Sequence, residues 1–248
     1  MISYQAVING IEVNAHYSAQ AVDRIFVPFL DRISELQKHK GRRLLVMLAA
    51  PPGAGKTTLL SFLEKLWQER SRTQRLQVIG MDGFHRRQEY LKSHFVLREG
   101  RQVSMVEIKG APVTFDLEGL TESVRKVAEG EQCGWPVYDR LLHNPVENAV
   151  TVDADIVLLE GNYLLLDESG WRDLQRYAGY TVSVRAEESL LRSRLISRRI
   201  KTGVDEKTAA QFVDFSDMPN VRLCLAKTVP ADLQMALDEG GDYRVLQT

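Results

Sequence analysis

The chain has 248 residues, 44% of them hydrophobic and 26% charged, proportions that exclude a disordered or fibrous protein and leave room for one large domain or two small ones. Lysine and arginine number 32 against 33 aspartates and glutamates, a net charge of -1 that gives no bulk reason to expect nucleic acid or a membrane surface as a partner. No apolar run reaches the roughly 20 residues that span a bilayer, and Cys133 and Cys224 lie far apart with no second ligand at metal spacing, so the expectation is a cytoplasmic protein with reduced thiols.

The chain begins with two β-type runs, Tyr4 to Ile8 and Ile11 to Val13, separated by Asn9-Gly10, the dipeptide that accepts positive φ at both corners of a tight hairpin. Apolar residues at Val22, Ile25, Phe26, Phe29, Leu30, Ile33 and Leu36 then mark a helical stripe, with a kink or a fresh start at Pro28. Residues 1–42 are expected to pack as an addition on a main domain formed by residues 43–248. From Arg43 onward, short apolar runs at Leu44 to Ala49, Leu76 to Gly80, Ile156 to Leu159 and Thr181 to Val184 largely lack polar alternation. Strands of that kind are buried on both faces of a parallel sheet. Helical patterns at Thr57 to Glu69, Leu117 to Ala128, Trp171 to Tyr177 and Glu188 to Lys201 separate them, and the alternation implies a three-layer α/β domain.

The first of those strands runs into Ala50-Pro51-Pro52-Gly53-Ala54-Gly55-Lys56-Thr57-Thr58 and then a helix. Glycines at 53 and 55 let backbone N–H groups converge on a phosphate, and the helix presents its unpaired amides and positive dipole end to the same anion. The expected phosphate cradle is Gly53, Ala54, Gly55, Lys56, Thr57 and Thr58, with Lys56 reaching the β- and γ-phosphates and the Thr57 hydroxyl on Mg²⁺. The pattern G-x-x-x-x-G-K-[ST] is met except at its first position, where Ala50 stands, and a loop needing positive φ there would resist alanine. A dinucleotide fingerprint fits worse, since no third glycine follows at the required place.

Phosphoryl transfer also needs a group that holds the metal and one that deprotonates or orients the acceptor. Glu160 closes the run Ile156 to Leu159 and stands before Gly161, the place for an acid on Mg²⁺ or its water shell. Asp82 closes the strand that follows the phosphate-loop helix and heads Asp82-Gly83-Phe84-His85, the place for a general base.

These motifs, with Thr114-Phe115-Asp116 and Pro136-Val137-Tyr138-Asp139-Arg140-Leu141-Leu142-His143, follow one another as in the uridine kinase, phosphoribulokinase and bacterial pantothenate kinase family, which the chain resembles. Lys109-Gly110-Ala111-Pro112-Val113-Thr114-Phe115-Asp116, Glu160 to Asp167 and Asp217-Met218-Pro219-Asn220-Val221 are similar to a bacterial branch labelled nucleoside or fructose-transport-system kinases. The resemblance implies a five-stranded parallel sheet in the order 2-3-1-4-5, ATP as donor, Mg²⁺ as cofactor and a lid around residues 188–203. It also implies Asp82 as the catalytic aspartate and an acceptor pocket with Asp116, Tyr138 and His143, to which His85 is added because it follows Asp82. A homodimer is compatible with it. Uridine kinases carry an aromatic residue where Arg140 stands. A planar cation there favours a carboxylate, phosphate or polyhydroxylated acceptor, provided that it faces the pocket rather than solvent.

Arg192, Arg194, Arg198, Arg199 and Lys201 crowd the last helical pattern, where Arg194 and Arg198 share a face. The resemblance makes these two the lid cations that neutralise charge in transfer. The expected function is ATP-dependent phosphorylation of a hydroxyl on a sugar-, nucleoside- or pantothenate-like acceptor, with no nucleic acid and no membrane as partner. Two other readings stay open: a nucleotide-dependent switch acting through a protein partner, and a nucleic-acid-binding module built on the arginine helix.

Overall fold

The computed structural model describes residues 1–8, 11–70, 72–98 and 100–246; the Asn9-Gly10 corner lies outside them. Strands β1 (Ile2–Ile8) and β2 (Ile11–Tyr17) pair antiparallel, β2 running on past Val13. The short helix α1 (Ala19–Ala21) passes through a π turn (Val22–Phe26) into α2 (Val27–Lys40). Pro28 falls in the first turn of α2, where its missing N–H is tolerated, so the expected break is a change of helical register rather than a kink between two helices.

The main domain follows as β3 (Leu44–Ala49), α3 (Lys56–Glu69), β4 (Leu76–Gly80), α4 (Gln88–Ser93), the hairpin β5 (Phe95–Arg98) and β6 (Arg101–Ser104), and α5 (Leu117–Glu129). A second hairpin, β7 (Cys133–Asp139) and β8 (Asn144–Val152), leads to β9 (Ile156–Gly161), β10 (Tyr180–Ala186), α6 (Glu188–Ile200), α7 (Glu206–Phe212), α8 (Met218–Lys227), β11 (Leu233–Leu237) and β12 (Tyr243–Val245). The helical pattern at Trp171 to Tyr177 is a 3-10 segment, Arg172–Tyr177, rather than an α-helix.

Six strands form the main sheet in the order β12-β11-β10-β3-β9-β4. Its five parallel members, numbered by first appearance, read 2-3-1-4-5 as expected, and β12 adds an antiparallel edge strand to them. The near-continuous apolar runs have a direct cause in this layering. Leu44, Val46 and Leu48 of β3 face one core with the N-terminal segment and α3, while Leu45, Met47 and Ala49 face the other with α5 and β7. Both faces of the central strand are covered, so neither set of alternating positions is polar.

Residues 1–42 share the first of these cores. Tyr17 stacks on Phe62 of α3 with ring centroids 4.3 Å apart, and the Tyr4 hydroxyl lies 2.6 Å from Ser61 Oγ. The hairpin therefore packs against the helix that leaves the phosphate loop.

The second hairpin is anchored below the loop that follows β4. Trp135 Nε1 donates to the Gly80 carbonyl at 2.8 Å, and the Trp135 and Phe84 rings meet edge to face at 4.9 Å. A Cβ on Gly83 would stand 2.0 Å from the Pro136 carbonyl oxygen, so only glycine permits this approach. Gly83→Ala is expected to cost about 1–3 kcal/mol, as overpacking does, and to read as a fall in Tm together with lost activity, because Asp82 precedes the displaced residue.

Candidate active site

Three strand ends build the site. β3 delivers the phosphate loop, β4 delivers Asp82 and β9 delivers Glu160, and β9 lies between the other two, pairing Leu48 with Glu160 on one side and Gly80 with Glu160 on the other. This is the carboxyl edge of a parallel sheet, where α/β proteins bind ligands.

Gly53 and Gly55 hold positive φ of 85° and 81°, and Gly55 is the residue from which α3 starts. Open space faces Gly55, whereas a Cβ on Gly53 would lie 3.1 Å from Leu195 Cγ and from the Leu191 carbonyl of α6. The arginine helix thus rests directly on the phosphate loop. Among the described residues only His143 and Asn148 have positive φ without being glycine, so Ala50 sits in ordinary backbone and its position makes no demand for glycine. Its methyl group is 2% exposed. Ala50→Gly is expected to lower stability by about 0.5–1 kcal/mol through added chain entropy and a lost packing contact. Calorimetry should find nucleotide affinity unchanged and Tm reduced. Ala54 is buried, and its amide donates to the Pro51 carbonyl at 3.3 Å.

Lys56 Nζ donates to Asn162 Oδ1 at 2.5 Å and to the Ala50 carbonyl at 3.2 Å, which holds the ammonium over the loop. Thr57 Oγ1 donates to Glu160 Oε1 at 2.6 Å. Burial pushes the Glu160 carboxyl above its ordinary range, with the Asp82 charge adding to that rise, against the Lys56 ammonium and the Thr57 hydrogen bond. Two hard oxygens beside a phosphate loop suit Mg²⁺, which takes one or two protein oxygens and completes its shell with phosphate and water.

Asp82 lies exposed in a single 3-10 turn, Met81–Phe84, at the head of β4. Its carbonyl accepts from His85 Nδ1 at 2.8 Å. A carbonyl only accepts, so the proton is on Nδ1 and Nε2 is left as an acceptor. Burial, aided by the Lys109 and Arg140 charges, lowers the His85 pKa against the pull of Asp82, which favours the neutral ring.

Lys56, Thr57, Thr58, Asp82, Glu160, His85, Tyr138, Arg140, Arg194 and Arg198 all line one cleft of about 420 Å³. Two expected acceptor residues lie elsewhere. Asp116, at the N-terminal boundary of α5, lines a neighbouring cavity of about 520 Å³ and pairs with Arg86 at 3.8 Å. His143 sits in the β7–β8 turn at φ 52°, where its carbonyl accepts from Lys109. Arg140 is exposed and lines the cleft. The arginine helix divides by position: Arg192 pairs with Asp214 at 2.7 Å away from the cleft, whereas Arg194 and Arg198 both line it, the Arg194 guanidinium reaching on toward Gly241 between β11 and β12. Arg199 lines the cleft as well, stacked on Phe212 and 3.4 Å from Asp217.

Lys109 and Asn162 also line the cleft, and neither drew a role from the sequence alone. Both stand inside motif strings, but a lysine before Gly110 or an asparagine after Gly161 has no spacing that marks a ligand.

The family model described as Phosphoribulokinase / Uridine kinase family matches residues 45–230. An uncharacterized protein of Escherichia coli strain K12, YggC, is 38% identical over 237 residues, covering 95% of this chain and 96% of its own. A proposed uridine kinase of Schizosaccharomyces pombe is 31% identical over 210 residues, covering 82% of this chain and 86% of its own. Among solved structures, a proposed fructose transport system kinase from Silicibacter sp. TM1040 superposes with a TM-score of 0.70 at 30% identity, covering 78% of this chain and 89% of the other.

Proposed function

Because the chain belongs to the phosphoribulokinase/uridine kinase family and is therefore a phosphotransferase with an alcohol group as acceptor, we propose that its cleft binds Mg²⁺·ATP and phosphorylates a hydroxyl of a sugar-, nucleoside- or pantothenate-like molecule. One observation carries this reading. The Lys56-Thr57 phosphate loop and two carboxylates, Asp82 and Glu160, meet at the ends of three adjacent parallel strands.

In this reading the loop amides and Lys56 bind the triphosphate tail, with Asn162 fixing where the ammonium sits. Thr57 and Glu160 would hold Mg²⁺, which when bound spreads the negative charge of the β- and γ-phosphate oxygens. Asp82 accepts the proton of the attacking hydroxyl; the acceptor oxygen bonds to the γ-phosphorus as the bridging bond to ADP breaks, and the bond electrons leave with ADP. Arg194 and Arg198 neutralise charge on the transferring group from the helix that rests on the loop, which makes α6 the lid. Residues 1–42 serve in this scheme as a brace for α3.

ATP consumption measured with and without a panel of sugars, nucleosides and pantothenate tests the assignment. Turnover that depends on one acceptor class is expected. Turnover equal with every acceptor and with none would instead favour a nucleotide switch.

A further inference from the structure

Six cations line the cleft, Lys56, Lys109, Arg140, Arg194, Arg198 and Arg199, against three carboxylates. Arg199 is taken by Asp217, and Lys56, Arg194 and Arg198 stand around the phosphate loop and the helix above it. Lys109 and Arg140 remain, and among the described residues neither has a carboxylate within ion-pair distance. Asp139, the neighbour of Arg140 in sequence, spends its Oδ1 on the amides of Leu141 and Leu142 at 2.8 and 2.9 Å, and Asp82 and Glu160 share the cleft with Arg140 without pairing to it.

Lys109 is half-buried where the β7–β8 hairpin meets the body of the protein. Its ammonium donates to three neutral acceptors, Tyr138 Oη at 2.6 Å, the His143 carbonyl at 3.1 Å and Gln88 Oε1 at 3.2 Å. None of them cancels its charge. The Tyr138 oxygen accepts a hydrogen bond from Lys109, so the proton of its own O–H is free to be donated to something else. Burial raises the Tyr138 pKa and keeps that proton in place, while desolvation lowers the Lys109 pKa, the cost of a half-buried cation with no anion beside it.

We propose that Tyr138 Oη, backed by Lys109 and faced by Arg140 at the cleft mouth, forms an anion subsite on the acceptor side, so that the acceptor is a hydroxyl compound carrying a carboxylate or a phosphate. This rests on the kinase reading of the same cleft and narrows it: unsubstituted nucleosides and free sugars are poor acceptors. A charged hydrogen bond to an anion in a partly dry site is worth more than a neutral one, and a site built around uncompensated positive charge discriminates against an acceptor that lacks the anion. Lys109 acts here as a positioning residue, through Tyr138 and through its field.

The test measures binding to the wild-type protein saturated with a non-hydrolysable ATP analogue and Mg²⁺, by calorimetry, for two matched pairs: D-glycerate against glycerol, and ribose 5-phosphate against ribose. The pairs separate carboxylate from phosphate recognition. Nucleotide binding is measured first, and its absence refutes the kinase reading together with the subsite. Where nucleotide binds, at least one anion is expected to bind tighter than its neutral partner by roughly tenfold or more. Lys109→Met and Tyr138→Phe should each shrink that ratio toward one, and Lys109→Arg should restore part of it, with nucleotide affinity unchanged in all three. Four results overturn the subsite while leaving the kinase reading intact: no anion binding at millimolar concentration, equal binding within both pairs, a preference that survives Lys109→Met, and a loss shared equally by both members of each pair. The last is the signature of a lysine that only ties the hairpin to the body.

Discussion

Asp82→Asn is expected to reduce kcat by about 10² to 10⁴-fold, the contribution of a positioned general base, while nucleotide affinity measured by calorimetry stays within a factor of about two of wild type. The asymmetry follows from where the residue sits. Asp82 heads the turn after β4, two strands away from β3 and its phosphate loop, with β9 and Glu160 between them. Its carboxylate is exposed to the cleft, and no side-chain hydrogen bond to it is seen among the described residues, so an amide of the same shape should disturb little. The backbone carbonyl, not the side chain, holds His85, and that contact survives the substitution. An Asp82→Asn variant with full turnover would assign the base to another group, of which neutral His85 is the nearest with a free acceptor nitrogen.

Lys56→Ala should act on both steps. Removing the ammonium takes away a point charge at the β- and γ-phosphates, and loss of a single such donor at a developing charge typically costs about 10² to 10³ in kcat. Nucleotide affinity should fall as well, because the same contact is made before transfer. The substitution also leaves Asn162 Oδ1 and the Ala50 carbonyl without their donor, so a moderate drop in Tm accompanies the kinetic loss. Affinity and kcat that both remain at wild-type levels would remove Lys56 from the phosphate site. The contrast with Asp82→Asn, where only transfer falls, separates a phosphate ligand from a base.

Much of the architecture was legible because burial on both sheet faces leaves a plain trace. In β3, and in β9 as far as Leu159, successive residues enter the two cores alternately, and an apolar run of that kind is hard to mistake. The phosphate loop was legible for a related reason: glycine at 53 and 55 answers a backbone demand that the φ values bear out, while Ala50 answers none. The β5–β6 and β7–β8 hairpins were hidden, unlike the N-terminal one. β7 and β8 carry Pro136 and Pro145 and expose Val137 and Val146, so they show neither alternation nor a clean apolar run. β11 and the edge strand β12 are short and only partly buried, and no local pattern distinguishes them from loop.

The site divided along the same line. Residues fixed by a strand end and a known turn, Lys56, Thr57, Asp82 and Glu160, fell together in the cleft. Those read by motif spacing on the acceptor side did not all do so, since Asp116 is paired with Arg86 in the adjoining cavity and His143 is held by its backbone in the hairpin turn. Lys109 carried no signal because its importance comes from Tyr138 and Gln88, partners that only tertiary structure brings to it. Within the arginine helix, charge density alone could not separate Arg192, neutralised by Asp214, from Arg194 and Arg198 in the cleft.

The most direct test of the account follows the phosphoryl group itself. Wild-type protein is incubated with Mg²⁺ and ATP labelled with heavy oxygen in its γ-phosphoryl group, in the presence of the mixed acceptor panel, and mass spectrometry locates the label. The account predicts labelled phosphate ester on one small hydroxyl compound, formed about 10² to 10⁴-fold more slowly by Asp82→Asn. Label recovered solely as inorganic phosphate, at a rate indifferent to the panel, would show that water is the acceptor and contradict the assignment as a small-molecule kinase.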